Sequence, residues 1–296
     1  MPISRNSFNW KFNPQKDVEI IREKQPILAP PMRNTSRIAN TSDVVAFLGA
    51  VHNDFKANPI KHWRKQYSTT TPSVMGRPVT VKNNMDEGTS VHWHGLEIDS
   101  WADGVPQWSS SDGRSSPIIE PGDSFTYKLS TMRPGTFVYH SHLDDVRQLT
   151  QGLYGPMIVI GENEVYHPEL DHFYMMGWKT SFPGKPEDLD LNGWEAVPDQ
   201  HAKIGETHRL RLINIAPAGN GWIRMTKDDE IIPIKAIAKD GADFPLPQQH
   251  EVEVTPRLYV GETADYSFTP AEPGVYTLKV NYMMARWEQT WIVAAQ

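Results

Sequence analysis

Apolar and polar residues alternate with a period of two along many short stretches of this chain, which is the pattern of a half-buried β-strand. Pro78-Val79-Thr80-Val81-Lys82-Asn83 reads this way, and residues 89–98 form a second predicted strand. A third is Ser124-Phe125-Thr126-Tyr127-Lys128-Leu129, entered through the turn residues Pro121-Gly122-Asp123. A fourth, Thr136-Phe137-Val138-Tyr139-His140, follows Pro134-Gly135, and residues 154–160 close the unit. The syntax then recurs in 208–214, 230–238, 265–269, 274–280 and 290–294. Short strands at this spacing, punctuated by turn residues, predict an all-β sandwich. Two segments repeat in outline. Glu272-Pro273-Gly274-Val275-Tyr276 echoes Arg133-Pro134-Gly135-Thr136-Phe137, and residues 261–266 echo 121–127. Two copies of one sandwich are therefore expected, over residues 67–162 and 163–296.

Residues 1–66 lack such periodicity. Prolines at Pro26, Pro30 and Pro31 and a polar stretch over 33–42 predict a mostly irregular, extended arm wrapping a neighbour, with one helix near 43–55. Composition agrees with a turn-rich β protein: 24 prolines and 20 glycines, with 39% apolar residues, in 296. A formal charge of -7 argues against a general nucleic-acid binder, which needs a basic face. No apolar run approaches the roughly 20 residues of a membrane-spanning helix. The first residues, Met1-Pro2-Ile3-Ser4-Arg5-Asn6, lack the apolar core of a signal peptide, so either the chain is cytosolic or a leader has been removed.

The candidate chemistry lies in two histidine pairs, His92-Trp93-His94 and His140-Ser141-His142. On a strand, residues i and i+2 share a face, so each pair aims two imidazoles at one place. Two such strands side by side converge four imidazoles, and imidazole suits Cu, Zn, Fe and Ni alike. Trp93, between two ligands, is expected to face away into the core. The chain has no cysteine, which excludes disulfides, thiolate catalysis and cysteine-based zinc sites. His52, His62, His167, His172, His201, His208 and His250 are single and scattered. They read as surface or satisfied core residues, with His52 and His62 nearest to the first sandwich. Residues 61–66, basic and aromatic, read as a docking surface, and Met283 with Met284 as core packing at a strand end. Asp144 and Asp145 fit two roles equally, acids behind the second pair or a turn or helix start. Asn34 and Asn40 head Asn-x-Ser/Thr triplets, relevant only to a secreted eukaryotic chain.

The contexts of the two pairs resemble the multicopper oxidase family, laccase-like members included. The resemblance rests on Val91-His92-Trp93-His94-Gly95-Leu96, Asp103-Gly104-Val105-Pro106 and Ile119-Glu120-Pro121-Gly122. It rests further on Gly135-Thr136-Phe137-Val138-Tyr139-His140-Ser141-His142 and Gln151-Gly152-Leu153-Tyr154-Gly155-Pro156. It is close over 78–160 and looser over 205–293. It implies two cupredoxin-like Greek-key sandwiches behind the N-terminal arm, with copper as cofactor and dioxygen and a reductant as substrates. It further implies that His92 is a ligand of a type 2 copper. His94 and His140 would share one type 3 copper, and His142 would serve the other. Asp103 resembles the acid that assists proton delivery during dioxygen reduction, and Asp99, Asp144 and Asp145 are further candidate partners of the imidazoles. By the same resemblance the location is periplasmic or secreted.

The chain departs from the family in two respects. A complete member has four histidine motifs giving eight ligands to its trinuclear cluster, and this chain has two. A type 1 copper needs a cysteine thiolate, so none is built within this chain. The second sandwich is expected to hold no copper ligands. Three arrangements would complete the half-cluster: a further domain or subunit carrying the cysteine, a homo-oligomer whose half-sites face one another, or a degenerate relative with a simpler copper site. The corresponding alternative function is a non-catalytic, copper-binding or structural cupredoxin protein.

Overall fold

The computed structural model of the chain describes residues 18–21, 45–48, 77–129, 134–160, 167–193 and 197–295. Its organisation follows from one strand, Gly135–Ser141, which is buried along its whole length. Phe137 and Tyr139 enter one apolar cluster while Val138 enters another. A strand covered on both faces needs a packed layer on each side. The chain supplies these as four sheets in a stack.

The outermost sheet has the order β1 (Val18–Ile21), β3 (Arg77–Asn83), β7 (Ser124–Leu129). The next has the order β2 (Val45–Leu48), β9 (Tyr154–Ile160), β8 (Gly135–Ser141), β4 (Val91–His94), antiparallel throughout. A small hairpin, β5 (Ser110–Ser111) and β6 (Arg114–Ser115), lies in the connection from β4 to β7. The core between these two sheets includes Val81, Val91, Trp93, Tyr127 and Leu129, all fully buried. Trp93 does face away from the histidines, edge-on to Tyr127 at 5.5 Å.

The second sandwich pairs a larger sheet with a five-stranded one. Its strands in chain order are β10 (Asp171–Trp178), β11 (Leu189–Leu191), β12 (Gln200–Lys203), β13 (His208–Asn214) and β14 (Gly221–Lys227). They continue as β15 (Glu230–Ile232), β16 (Ile234–Lys239), β17 (Ala242–Asp243), β18 (His250–Val252), β19 (Thr263–Phe268), β20 (Gly274–Tyr282) and β21 (Ala285–Ala294). One sheet runs β11-β10-β13-β19-β16-β17 with β18 on β16, and the other runs β12-β21-β20-β14-β15.

The two sandwiches meet face to face. Val138, Tyr154 and Ile158 from the first pack on Phe173, Met175, Ile213 and Ile215 of the second. Beside this contact a buried polar network crosses the junction. Thr136 Oγ1 donates to Asp265 Oδ2 (2.7 Å) and accepts from Arg211 Nη1 (2.8 Å), while Arg211 Nε donates to Asp171 Oδ1 (2.7 Å).

Several sequence expectations are corrected. Of the helix expected near 43–55, residues 45–48 are an edge strand paired with 157–160, because a four-residue apolar run completes a sheet edge and is too short to bury a helix face. The strand expected over 89–98 spans 91–94, since Gly95 turns the chain at φ +82. The one expected over 230–238 is split by Pro233, which has no N–H for the ladder. Asp171–Trp178 shows no alternation because both its faces are covered, Phe173 and Met175 by the first sandwich, Tyr174 and Met176 by the core of the second. Met283 and Met284 are not core residues. They form the turn between the paired residues Tyr282 and Ala285 and are 47% and 48% exposed. The remainder of the arm, with His52, His62, residues 61–66, Asn34 and Asn40, lies outside the described residues. Among the described residues no helix is long and apolar enough to cross a membrane.

Candidate metal centre

The register of β4 on β8 creates the site. His92 lies opposite His140 and His94 opposite Val138, and directly opposed residues share a face. The sheet face that carries Thr136 and Val138 into the domain junction therefore carries His140 onward to meet His92 and His94, with His142 just past the strand end. The ring of His92 lies 5.2 Å from those of His94 and His140 and 5.3 Å from that of His142. His94 and His140 are 5.5 Å apart, and His140 stacks on His142 at 5.7 Å. The structure thus brings all four predicted histidines together. Ligand nitrogens of His92, His94 and His140 all lie within 4.8 Å of one another.

Hydrogen bonds set which nitrogen of each ring is free. His92 Nδ1 lies 2.8 Å from Asp103 O and His140 Nδ1 lies 2.7 Å from Ser141 O. A carbonyl only accepts, so in the neutral rings Nδ1 carries the proton and Nε2 keeps its lone pair. His140 Nε2 lies 3.3 Å from His94 Nδ1, a separation that two nitrogens bound to one metal ion at about 2.0–2.1 Å each also have. Burial, with the charge of His92 next, pushes His140 down to about 3, and the same two causes lower His94. Both rings are therefore neutral at physiological pH, the state in which imidazole ligates a metal. The donor set fits copper: neutral imidazoles, fixed tautomers and converging lone pairs.

Asp103 approaches from the loop between β4 and β5. Its Oδ1 lies 3.3 Å from His92 Nδ1 and its Oδ2 accepts from Ser109 Oγ at 3.0 Å. Burial raises its pKa, but the contacts with His92 and Ser109 outweigh that and hold the carboxyl below its ordinary value. The following glycine makes this approach possible. Gly104 sits at φ +88, and a β-carbon there would lie 1.8 Å from the Val91 carbonyl oxygen. The two other acids divide the roles read for them. Asp144 caps helix α1 (Asp145–Thr150) by accepting from Arg147 N, whereas Asp145 Oδ1 lies 3.7 Å from His142 Nδ1.

Of the remaining described histidines, His167 pairs with Glu169 on the surface and His250 Nδ1 donates to the Gln248 carbonyl. Sequence reading missed the meeting of His172 and His208, whose Nε2 and Nδ1 lie 3.1 Å apart with Trp291 against both rings. The residues are 36 positions apart on neighbouring parallel strands, and no spacing rule joins them.

Comparison with known proteins agrees with this fold. The model of the multicopper oxidase family matches residues 77–164. A copper resistance protein A homolog of Pseudomonas syringae pv. tomato is 33% identical over 157 residues, half of this chain and 24% of that protein. Laccase-1 of Cryptococcus neoformans var. grubii is 26% identical over 220 residues, 60% of this chain and 33% of that protein. The matched part thus spans about a quarter to a third of those curated relatives. The crystal structure of a blue copper oxidase from Nitrosomonas europaea superposes with a TM-score of 0.55 at 26% identity, over 73% of this chain and 72% of that one. The matched segment holds both histidine pairs and Asp103, and the likeness in fold runs well beyond it: over residues 77–164 the chain is similar to the multicopper oxidase family, and its fold resembles that of a blue copper oxidase.

Proposed function

We propose that the chain is the copper-binding part of an oxidoreductase of multicopper oxidase type, coupling oxidation of a reductant to reduction of dioxygen to water. The observation that carries this reading is the convergence of four imidazoles, two with Nδ1 tied to a carbonyl, on one sheet face. Copper bound there supplies one-electron redox chemistry and a binding place for dioxygen. In this reading His92 holds a type 2 copper, His94 and His140 share one type 3 copper, and His142 serves the other. The 3.3 Å separation of His94 Nδ1 and His140 Nε2 supports the shared assignment. Asp103 is the acid that assists proton delivery. Ser109 and His92 hold its carboxylate in place, where it can receive a proton and release it toward the site. The other cluster ligands come from a further domain, a subunit or a second protomer, and a type 1 copper from a cysteine-bearing domain or subunit, since this chain has no cysteine. A periplasmic or secreted location goes with the same reading.

The test is copper titration of the metal-free protein, followed by oxygen-uptake assays with a phenol or a reducing metal ion. Copper uptake without a blue thiolate band is expected, and His94→Ala and His140→Ala are each expected to lower the copper stoichiometry. Unchanged metal content in both variants refutes the site. Copper binding without oxygen uptake, in the isolated chain and with a cysteine-bearing partner, favours a non-catalytic copper-binding or structural cupredoxin protein instead.

A further inference from the structure

One turn is built twice in this chain. In the first sandwich Gly122 N donates to Asn83 O (2.9 Å), Asn83 N to Asp123 O (2.9 Å) and Asp123 N to Glu120 O (3.0 Å). In the second, Gly261 N donates to Asn214 O (2.9 Å), Asn214 N to Glu262 O (3.1 Å) and Glu262 N to Tyr259 O (3.1 Å). Each asparagine is fully buried and ties down a neighbouring loop, Asn83 through Ile119 O and Asn214 through Leu258 O. The glycines adopt nearly the same backbone, φ +84 and φ +78. Their surroundings differ completely. A β-carbon on Gly122 would meet nothing within 4 Å, whereas one on Gly261 would lie 2.8 Å from His94 Cε1 and 3.0 Å from its Nε2.

We propose that the second sandwich, which lacks ligand pairs, forms a wall of the metal centre, and that Gly261 is a positioning residue for His94. The inference rests on the reading that the four imidazoles hold copper. The imidazole of His94 is confined between two surfaces: the backbone of Gly261 on one side and His140 Nε2, 3.3 Å from its Nδ1, on the other. Only a residue without a side chain lets the turn lie this close. The turn itself is stiff, since Asn214 brackets it and Glu262 Oε2 accepts from Tyr259 N at 2.6 Å. A ring held in its ligating orientation before the ion arrives has less freedom to lose on binding, so affinity rises.

The test compares Gly261→Ala with Gly122→Ala in the full chain. Both impose the same left-handed alanine, but only the first puts a methyl group against His94. Two readouts are taken: imidazole nitrogen and carbon resonances of His94 in metal-free protein, and copper affinity against a competing chelator, with the nitrogen hyperfine pattern of bound Cu(II). Gly261→Ala is expected to shift the His94 resonances and to weaken copper binding about 10- to 100-fold, the range for residues that orient a ligand. Gly122→Ala is expected to match wild type in both. If Gly261→Ala does not fold, Glu262→Ala loosens the same turn by removing its clamp on Tyr259 N, and a smaller shift of the His94 resonances is expected. Unmoved His94 resonances in the folded variant overturn the proposal, as does an equal shift in Gly122→Ala. If the wild-type chain takes up no copper the functional reading fails, and the metal-free resonances still decide whether the wall exists.

Discussion

Replacing Arg211 by methionine tests what fastens the second sandwich over the histidine-bearing sheet. Arg211 is 5% exposed and binds three groups, Asp171, Asp265 and Thr136, of which the last belongs to the other sandwich. Removing one member of a buried ion pair costs about 3–5 kcal/mol, because the charge left behind is neither paired nor hydrated. Two features place this case at the low end. Asp265, at 1% exposure, keeps Arg209, whose Nε donates to it at 2.8 Å, and Asp171 is 13% exposed and can draw in water. Methionine nearly conserves the volume, so repacking adds less than about 1.5 kcal/mol. The expected loss is about 3 kcal/mol. With a urea dependence of about 2–3 kcal/mol per molar, the midpoint of unfolding falls by about 1–1.5 M. Thr136→Val removes the hydroxyl that both Asp265 and Arg211 use, at about 1–3 kcal/mol. The two changes touch, so their effects are not additive: the double variant loses less than the sum by at least about 0.5 kcal/mol. Urea titrations followed by tryptophan fluorescence and far-ultraviolet dichroism read all three variants. A loss below about 1 kcal/mol for Arg211→Met, or strict additivity with Thr136→Val, refutes the claim that this network joins the sandwiches.

Acidification probes the pair His172 and His208. Burial, with the charge of His208 next, holds His172 at about 3, against 6.5 for the free side chain. A base with a depressed folded pKa is neutral in the folded state and takes up a proton on unfolding. Its stabilising contribution is full above pH 6.5 and is lost as the pH falls from 6.5 toward 3. In thermal unfolding between pH 7.5 and 4.5, His172 is expected to contribute up to about 1.4 kcal/mol per pH unit to the stability slope below 6.5, so the slope of His172→Gln is flatter by up to that amount. Identical slopes contradict the assignment. Trp93, fully buried beneath the metal site, is expected to cost about 3–5 kcal/mol on replacement by alanine. Its Nε1 has no hydrogen-bond partner, so Trp93→Phe loses only volume and is expected to cost less than half as much in the same urea assay. Equal costs would show that the indole N–H matters after all.

Strands with one face in a sandwich core and the other exposed or half-buried are legible by alternation, whereas the strand over 136–140, covered on both faces, is legible through its β-branched and aromatic residues and the Pro134-Gly135 turn before it. Ser124–Leu129 alternates because Tyr127 and Leu129 are buried while Ser124, Thr126 and Lys128 are exposed, and the strand expected there is the one observed. Asp171–Trp178 was not legible, since its outer face meets the other sandwich and no polar residue alternates along it beyond Asp171 and His172 at its start. The convergence of the four histidines was legible because the period of the strand and the spacing of each pair coincide. The partnership of His172 with His208 was not, nor was the contact of Gly261 with His94. Both are made by tertiary packing between segments far apart in sequence, and a glycine records a close approach without naming what approaches.

The domain junction and the metal centre are one structural problem. Along β8 the side chains of Thr136, Val138 and His140 lie on one face, and the chain changes their partners as it goes: a buried charge network, an apolar contact, then a histidine cluster. The close approach begins at the foot of the strand, where a β-carbon on Gly135 would lie 2.1 Å from the Gly241 carbonyl oxygen. It recurs beside the cluster, where Gly261 meets His94. Contacts at both ends of one face fix the docking angle better than either alone, and a small tilt about Gly135 would open the wall at His94 first. Loosening the network with Arg211→Met is therefore expected to shift the His94 resonances even though Arg211 touches no histidine of the cluster. If those resonances stay fixed while stability falls by the expected amount, the turn holds its place through Asn214 alone, and the charge network and the metal centre are independent.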